Sequence, residues 1–256
     1  MKQSTYIIAL AVILCLNIIP ASLKAVITDG EKLTFSVNYG VVAAAEATLE
    51  IKSFKLNDTP IWLITSNAKT YKFFDPVFKV RDEVMSYWEK ENLHTLRFSK
   101  RLSEGAYRQY RVHIYDHDQK LSTYRSWNYK KQTFRTRQLA IPFGTQDILS
   151  SFYYVRQQKL VPGKSVLVNV TSDGKSYTTE VLVHRRETID SIFGKKDCLV
   201  IEPKLKGDAV FKQSGRILIW VTDDQYKVPL KMTSKITVGA FTATLVSAQH
   251  VPYPLK

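Results

Sequence analysis

The sequence predicts an all-β protein, a large antiparallel meander of barrel-like, half-barrel or sandwich architecture with one short α-helix. Three observations carry this. Gly215–Ala248 reads as three antiparallel strands joined by two tight turns. Its first run, Arg216–Thr222, is apolar on both faces through Ile217, Leu218, Ile219, Trp220 and Val221, as a strand covered on both sides must be. Asp223-Asp224 breaks it, Val228–Val238 then alternates through Met232, Ile236 and Val238, and Gly239 turns the chain into Phe241, Ala243 and Leu245. Second, the same period of two recurs along most of the chain. Third, aromatics make up 12 % of the residues, 14 of them Tyr, and large flat side chains suit a pleated, half-buried surface.

Taken in order, Leu33, Phe35, Val37 and Tyr39 alternate with polar residues, and Gly40 supplies a turn. Val41, Ala43, Ala45, Ala47, Leu49 and Ile51 then share one face of a second strand; its residues suit a helix by propensity, but the alternation fits period two better than 3.6. Asn57-Asp58 is a turn into a strand at Ile61–Thr70, and an aromatic connection at 73–78 leads to Val80–Trp88. Strands follow around Leu96 and Phe98, around Tyr110, Val112 and Ile114, and through 121–139, with turns at Glu104-Gly105 and Asp116-His117-Asp118. The predicted helix spans about 146–158, where Ile148, Leu149, Phe152, Tyr153 and Val155 fall at spacings of three and four. Thr145 or Asp147 is the available cap, and Val161-Pro162-Gly163 ends it. Val166–Val170 and Val181–Val183 flank an Asp173-Gly174 hairpin turn. A further hairpin joins Thr188–Phe193 to Cys198–Glu202 about Gly194-Lys195-Lys196, and 204–214 is a polar connection.

Residues 1–25 have the layout of a secretory signal peptide: Lys2, an apolar run from Tyr6 to Ile19, Pro20, then the small residues Ala21, Ser22 and Ala25. Leu14 precedes Cys15 where a lipoprotein signal places a small residue. Residues 26–256 are then expected to form a single β-rich domain, with 140–163 as the candidate seam between two lobes. No transmembrane span is expected in the mature chain, since the apolar run is shorter than the roughly 20 residues that cross a bilayer. Cleavage leaves Cys198 as the one cysteine, in a strand pattern that reads as a small buried hydrophobe. Hydrophobic content of 45 % and charged content of 23 % are ordinary globular values and exclude a disordered or polytopic membrane chain.

The charge is unevenly placed. The formal +14 becomes +12 once Lys2 and Lys24 leave with the signal; Arg97–Arg137 holds 11 basic residues against three acids, so eight of those twelve charges fall there. Within it Arg108, Arg111, Arg125, Arg135 and Arg137 sit on expected strands beside Tyr110, Tyr124 and Trp127, the candidate ligand-binding set. Guanidinium groups bind phosphates, carboxylates or sulfates in bidentate fashion, and aromatics stack on sugars or lie against acyl chains. Nucleic acid would satisfy the charge, but an exported protein rarely meets it.

No Gly-rich phosphate loop, His-Glu-x-x-His helix, Gly-x-Ser-x-Gly elbow or Cys-x-x-Cys pair is present, and no catalytic residue, metal or cofactor is assigned. His113 and His117 beside Asp116 and Asp118 lack a third ligand of the right kind and read as a solvated turn; Asp223-Asp224 reads as a turn former.

Phe35-Ser36-Val37-Asn38-Tyr39-Gly40, Lys79-Val80-Arg81-Asp82-Glu83, Asp147–Arg156 followed by Pro162-Gly163, and Trp220–Asp224 with Pro229-Leu230 and Ser234-Lys235-Ile236 resemble the bacterial domain-of-unknown-function family 3108. The resemblance covers nearly the whole mature chain. It implies a mostly antiparallel barrel-like fold with a short helix, in an exported protein of the Gram-negative envelope, and carries over no catalytic residue. Together these features predict a periplasmic, outer-membrane-associated or secreted, non-enzymatic protein that binds an anionic lipid, lipopolysaccharide or anionic glycan. The alternatives are a carbohydrate-active hydrolase or lyase using acids among Asp75, Asp82, Glu83 and Asp223, and an assembly or scaffold factor docking on an envelope protein.

Overall fold

The computed structural model describes residues 27–204, 216–235 and 239–255. The signal segment and nearly all of the polar connection lie outside these. The strands are β1 (Lys32–Tyr39), β2 (Val42–Leu56), β3 (Thr59–Thr70), β4 (Arg81–Glu89), β5 (Thr95–Glu104), β6 (Tyr107–Asp116), β7 (Leu121–Asn128), β8 (Thr133–Ala140), β9 (Ser165–Ser172), β10 (Lys175–Ser191), β11 (Gly194–Lys204), β12 (Ile217–Thr222), β13 (Pro229–Lys235) and β14 (Ala240–Gln249), with α1 (Ile148–Arg156) between β8 and β9. They form one antiparallel sheet in the order β8-β7-β6-β5-β4-β3-β2-β1-β14-β13-β12-β11-β10-β9. The sheet curls without closing, so β8 and β9 are its edges. The all-β, barrel-like expectation holds.

Because neighbours run antiparallel, the turns sort into two ends. One end collects the turns at 57–58, 90–94, 117–120, 192–193 and 223–228 together with α1. The other, the mouth, collects the turns at 40–41, 71–80, 105–106 and 129–132, and the 173–174 turn starts from this end and folds onto the concave face. The result is a cup with the helix across its floor.

Buried charge holds the helix there. Arg156 is 1 % exposed and donates from Nη1 and Nη2 to the two carboxylate oxygens of Glu31 at 2.7 and 2.8 Å; it also donates to the Tyr226 carbonyl of the 223–228 turn. At the other end Asp147 caps α1. Its Oδ1 accepts from the Leu149 and Ser150 amides, and its Oδ2 accepts from Ser86 of β4 and Thr95 of β5 at 2.5 and 2.9 Å. Burial pushes the Asp147 carboxyl up, and these donors only partly offset it. Between the ends Tyr153 packs fully buried on Ile51, Ile64 and Trp88, and Val155 joins Val168, Val183, Leu199, Ile201 and Val221.

Several elements differ from expectation. The expected Val41–Ile51 face is broken by a bulge, because Val37 pairs with Ala45 whereas Asn38 pairs with Ala43. Ala44 is therefore buried, and Val41 stands in the turn at 96 % exposure. The two expected segments around Val183 and Thr188 are one strand, β10, carried through a bulge between Val183 and Arg185. The hairpin after it turns at 192–193, since Gly194 already pairs with Ser191. Asn57 and Asp58, both at positive φ, make the predicted turn, as does Asp173-Gly174.

Replacing Arg156 with Met is expected to lower unfolding stability by about 3–5 kcal/mol, because Glu31 is left buried without its partner. The Glu31→Met/Arg156→Met double variant should recover most of that loss. Urea unfolding of the three proteins checks this; equal losses in single and double variants would reject it.

Candidate functional site

The sheet divides the eight sequence-predicted site residues between its two faces. Ser86, which reaches α1, pairs through Phe98, His113, Tyr124 and Arg137; Val84 pairs through Lys100, Arg111, Ser126 and Arg135. Arg111, Tyr124, Arg135 and Arg137 therefore belong to the concave face. Arg108, Tyr110, Arg125 and Trp127 occupy alternate positions and face outward. The eight cannot make one contiguous surface. The signal was present in the numbering: with β6 as one strand, Tyr110 and Arg111 must point to opposite sides.

On the outer face Arg101 lies over Tyr110, Tyr110 and Trp127 each meet the Phe134 ring edge-on, and Arg125 lies over Phe134 at 4.4 Å. Arg108 folds back to the Gly105 and Tyr107 carbonyls. On the concave face the β9–β10 tip enters the sheet. Asp173 pairs with Lys100 at 2.8 Å and Arg111 at 2.5 Å, the Gly174 amide donates to His113 Nε2, and Arg137 Nη2 donates to the Gly174 carbonyl at 2.7 Å. Burial alone would raise the Asp173 pKa, but Lys100 and Arg111 hold it below the usual carboxylate range. Glycine is required at the tip: φ is +77°, and a Cβ would meet Arg137 Nη2 and the Tyr124 ring at 2.7 Å. This interior loop contact was not legible from local sequence.

Away from the tip the cup is lined mostly by apolar side chains. One hollow of about 300 Å³ lies between Leu149 and Phe152 of α1 and Phe35, Val37, Ala47, Leu49, Phe241 and Ala243 of β1, β2 and β14. A second, of about 230 Å³, lies between Ile148, Phe152 and Val155 and the inner faces of β9–β12. Phe152, Ile219 and Met232 wall both, so the two hollows adjoin in the cleft between α1 and the sheet. Met232 and Phe241 are partly exposed on its mouth side.

The acids considered for hydrolysis are occupied or turned away. Asp75 makes a two-oxygen contact with Arg81 and accepts from Thr70, Asp223 pairs with Arg186, Asp82 accepts from the Ser103 amide, and Glu83 sits on the outward register. Asp224 accepts from Thr222 Oγ1 and the Tyr226 and Lys227 amides, making the turn that the sequence predicted. His117 stacks on His94 at 3.7 Å between ring centroids, while His113 lies deeper against Tyr124. Among the described residues no group of three or more His, Cys, Asp or Glu is placed to hold a metal ion. Cys198 is fully buried, and burial pushes its thiol up to about 12. No helix among the described residues is long and apolar enough to cross a membrane.

The family profile described as "Protein of unknown function (DUF3108)" matches residues 34–246. No curated protein sequence matches the chain. The crystal structure of a beta-barrel-like protein of domain of unknown function DUF1849 from Brucella abortus is similar, with a TM-score of 0.57 at 8 % identity over 89 % of this chain and 100 % of that one. It supports the barrel-like fold alone. A candidate lipoprotein from Parabacteroides distasonis aligns at a TM-score of 0.32 and 8 % identity, covering 87 % and 96 % of the two chains. A candidate exported protein with a YmcC-like fold from Bacteroides fragilis aligns at 0.31 and 8 %, covering 86 % and 96 %. Scores this low carry no argument.

Burial holds His94 and His113 at about 4, below the ordinary value near 6.5. The unfolded chain therefore binds more protons at these two histidines between these values, so their contribution to stability is full above about pH 6.5 and falls as pH drops toward 4. Asp173, held low, loses its share only below about pH 4. Urea midpoints should decline from pH 7 to 4.5, with a shallower slope in His94→Gln/His113→Gln; an unchanged slope would contradict the assignment.

Proposed function

The chain belongs to the DUF3108 family, proteins of unknown function, and from that premise we propose that it is an exported, non-enzymatic binding protein for an anionic amphiphile of the cell envelope. The acyl chain occupies the cleft between α1 and the sheet. The carrying observation is the character of that cleft: apolar walls at Phe35, Val37, Leu49, Phe152, Ile219 and Met232, in a volume at the lower end of small-molecule sites, about 300–1,000 Å³. Such walls favour hydrocarbon over a polysaccharide, whose hydroxyls would be left without partners. Of the concave-face arginines, Arg111 and Arg137 are engaged by the Asp173-Gly174 tip, and Arg135 is the one left to meet an anionic head group at the rim. The N-terminal apolar run between Lys2 and Pro20 supports export into an envelope compartment where such lipids are abundant.

The test is titration of the exported, processed protein with a fluorescent 16-carbon fatty acid and with lysophosphatidylglycerol. Saturable binding is expected, reduced about tenfold or more in Met232→Glu, which sets a charge in the shared wall at a partly exposed position. Arg125→Ser, on the outer face, should bind as the parent does. Absence of saturable binding, or an unaffected Met232→Glu, would overturn the reading.

A further inference from the structure

The mouth of the cup exposes large apolar side chains on ordered turns. Phe73 is 67 % exposed, Val77 75 % and Phe78 50 %, all on the 71–80 connection, and beside them Val41 and Val42 stand out of the β1–β2 turn. The connection is not loose. Thr70 donates to Asp75, Arg81 clamps both Asp75 oxygens, and the Val77 and Phe78 amides close turns onto the Phe74 carbonyl. The Tyr71 amide bonds the Ala44 carbonyl, tying this connection to β2 just past the β1–β2 turn, and Phe78 packs against Gly105 of the next turn. A water-facing loop has no folding reason to hold three such residues outward, since burying them would favour the folded state. Rigid presentation of an apolar patch marks an interaction surface.

Its chemistry is that of a lipid–water boundary. Across the turns at 40–41, 71–80, 105–106 and 129–132 the charged residues are Lys72, Lys79, Lys130 and Lys131 against Asp75, which Arg81 already neutralises. Lys72 and Lys79 bracket the apolar residues and are themselves exposed. Tyr107 and Tyr129, half exposed, stand at the neighbouring turns, the amphipathic ring type that settles at head-group depth. Apolar tips ringed by lysines match an anionic bilayer, with shallow insertion and attraction to the head groups adding.

We propose that the mouth of the cup, built from Val41, Val42, Phe73, Val77 and Phe78 with Lys72 and Lys79, docks on an anionic lipid membrane. This is a surface separate from the cleft, and it faces the membrane with the open end of the cup.

The test is co-flotation of the exported, processed protein with vesicles of phosphatidylcholine alone and of phosphatidylcholine with one quarter phosphatidylglycerol. Binding to the second, weakened by salt, is expected. Lys72→Glu/Lys79→Glu should weaken it about thirtyfold or more, two lysines near a charged surface being worth about that factor. Phe73→Ser/Val77→Ser should abolish it while leaving fatty-acid binding from solution intact. Met232→Glu should do the reverse, so failure of the cleft and failure of the rim are told apart. As a readout independent of losing a contact, Val77→Trp should shift its emission to the blue on the anionic vesicles and be quenched by brominated lipid. Three results would overturn the proposal: no anionic-vesicle binding by the parent, binding unchanged in both rim variants, or a Val77→Trp signal that changes with protein concentration but not with vesicles. The last would assign the rim to self-association.

Discussion

A guanidinium buried to 1 % exposure must keep its partner, and this requirement at Arg156 organises the molecule. Its partner, Glu31, precedes β1, and its second acceptor, the Tyr226 carbonyl, belongs to the turn between β12 and β13. One side chain thus joins the helix to two parts of the sheet that lie far apart in sequence. Burial alone would lower the Arg156 pKa; Glu31 more than offsets it, so the group stays charged and the pair stays ionic. With Asp147 fixed to β4 and β5 at the opposite end, α1 has no freedom to tilt away from the floor.

A fixed floor explains how an unclosed sheet encloses space. Backbone ladders do not join β8 to β9. The gap is bridged by other means: the Asp173-Gly174 tip set into the concave face of β5–β8, and the Gln146 backbone bonded to Asn169 and Thr171 on the β9 edge. The tip fills one side of the cup, and the helix fills the bottom. What remains is the apolar side under β1, β2 and β9–β14, where the cleft lies. Part of the basic charge conspicuous in the sequence is therefore used internally, as the counter-charge for Asp173.

What could be read beforehand follows from range. Period-two strands, the helix and its Asp147 cap, and the Asn57-Asp58 and Asp173-Gly174 turns are all local patterns, and all were legible. The β2 face was misread because a bulge shifts the parity at Ala44, a change that pairing with β1 imposes and composition does not reveal. Glu31 carries no local signature of its role, since its partner is 125 positions away. The candidate site suffered differently. Clustering in sequence was taken for clustering in space, although Tyr124 and Arg125, adjacent on one strand, had to separate. The cleft itself is lined from seven or more separated elements and leaves no linear motif.

Edge protection accounts for Arg135, which neither Asp173 nor an aromatic ring explains. β8 is an edge strand, and an exposed edge invites pairing with another chain unless charge or cover prevents it. Arg135 and Arg137 stand on it at consecutive concave positions, both exposed, with Arg137 also donating to the Gly174 carbonyl and lying over the Tyr124 ring. The other edge, β9, has no such charges and is covered at its centre by Gln146. The two edges thus meet one constraint in different ways: the covered edge can be apolar, as Val168 and Val170 are, whereas the open edge must be charged. A basic strand at this position is consistent with folding needs alone, so the positive charge of β8 is weaker evidence for a ligand than the apolar cleft and mouth, whose exposure no folding requirement explains.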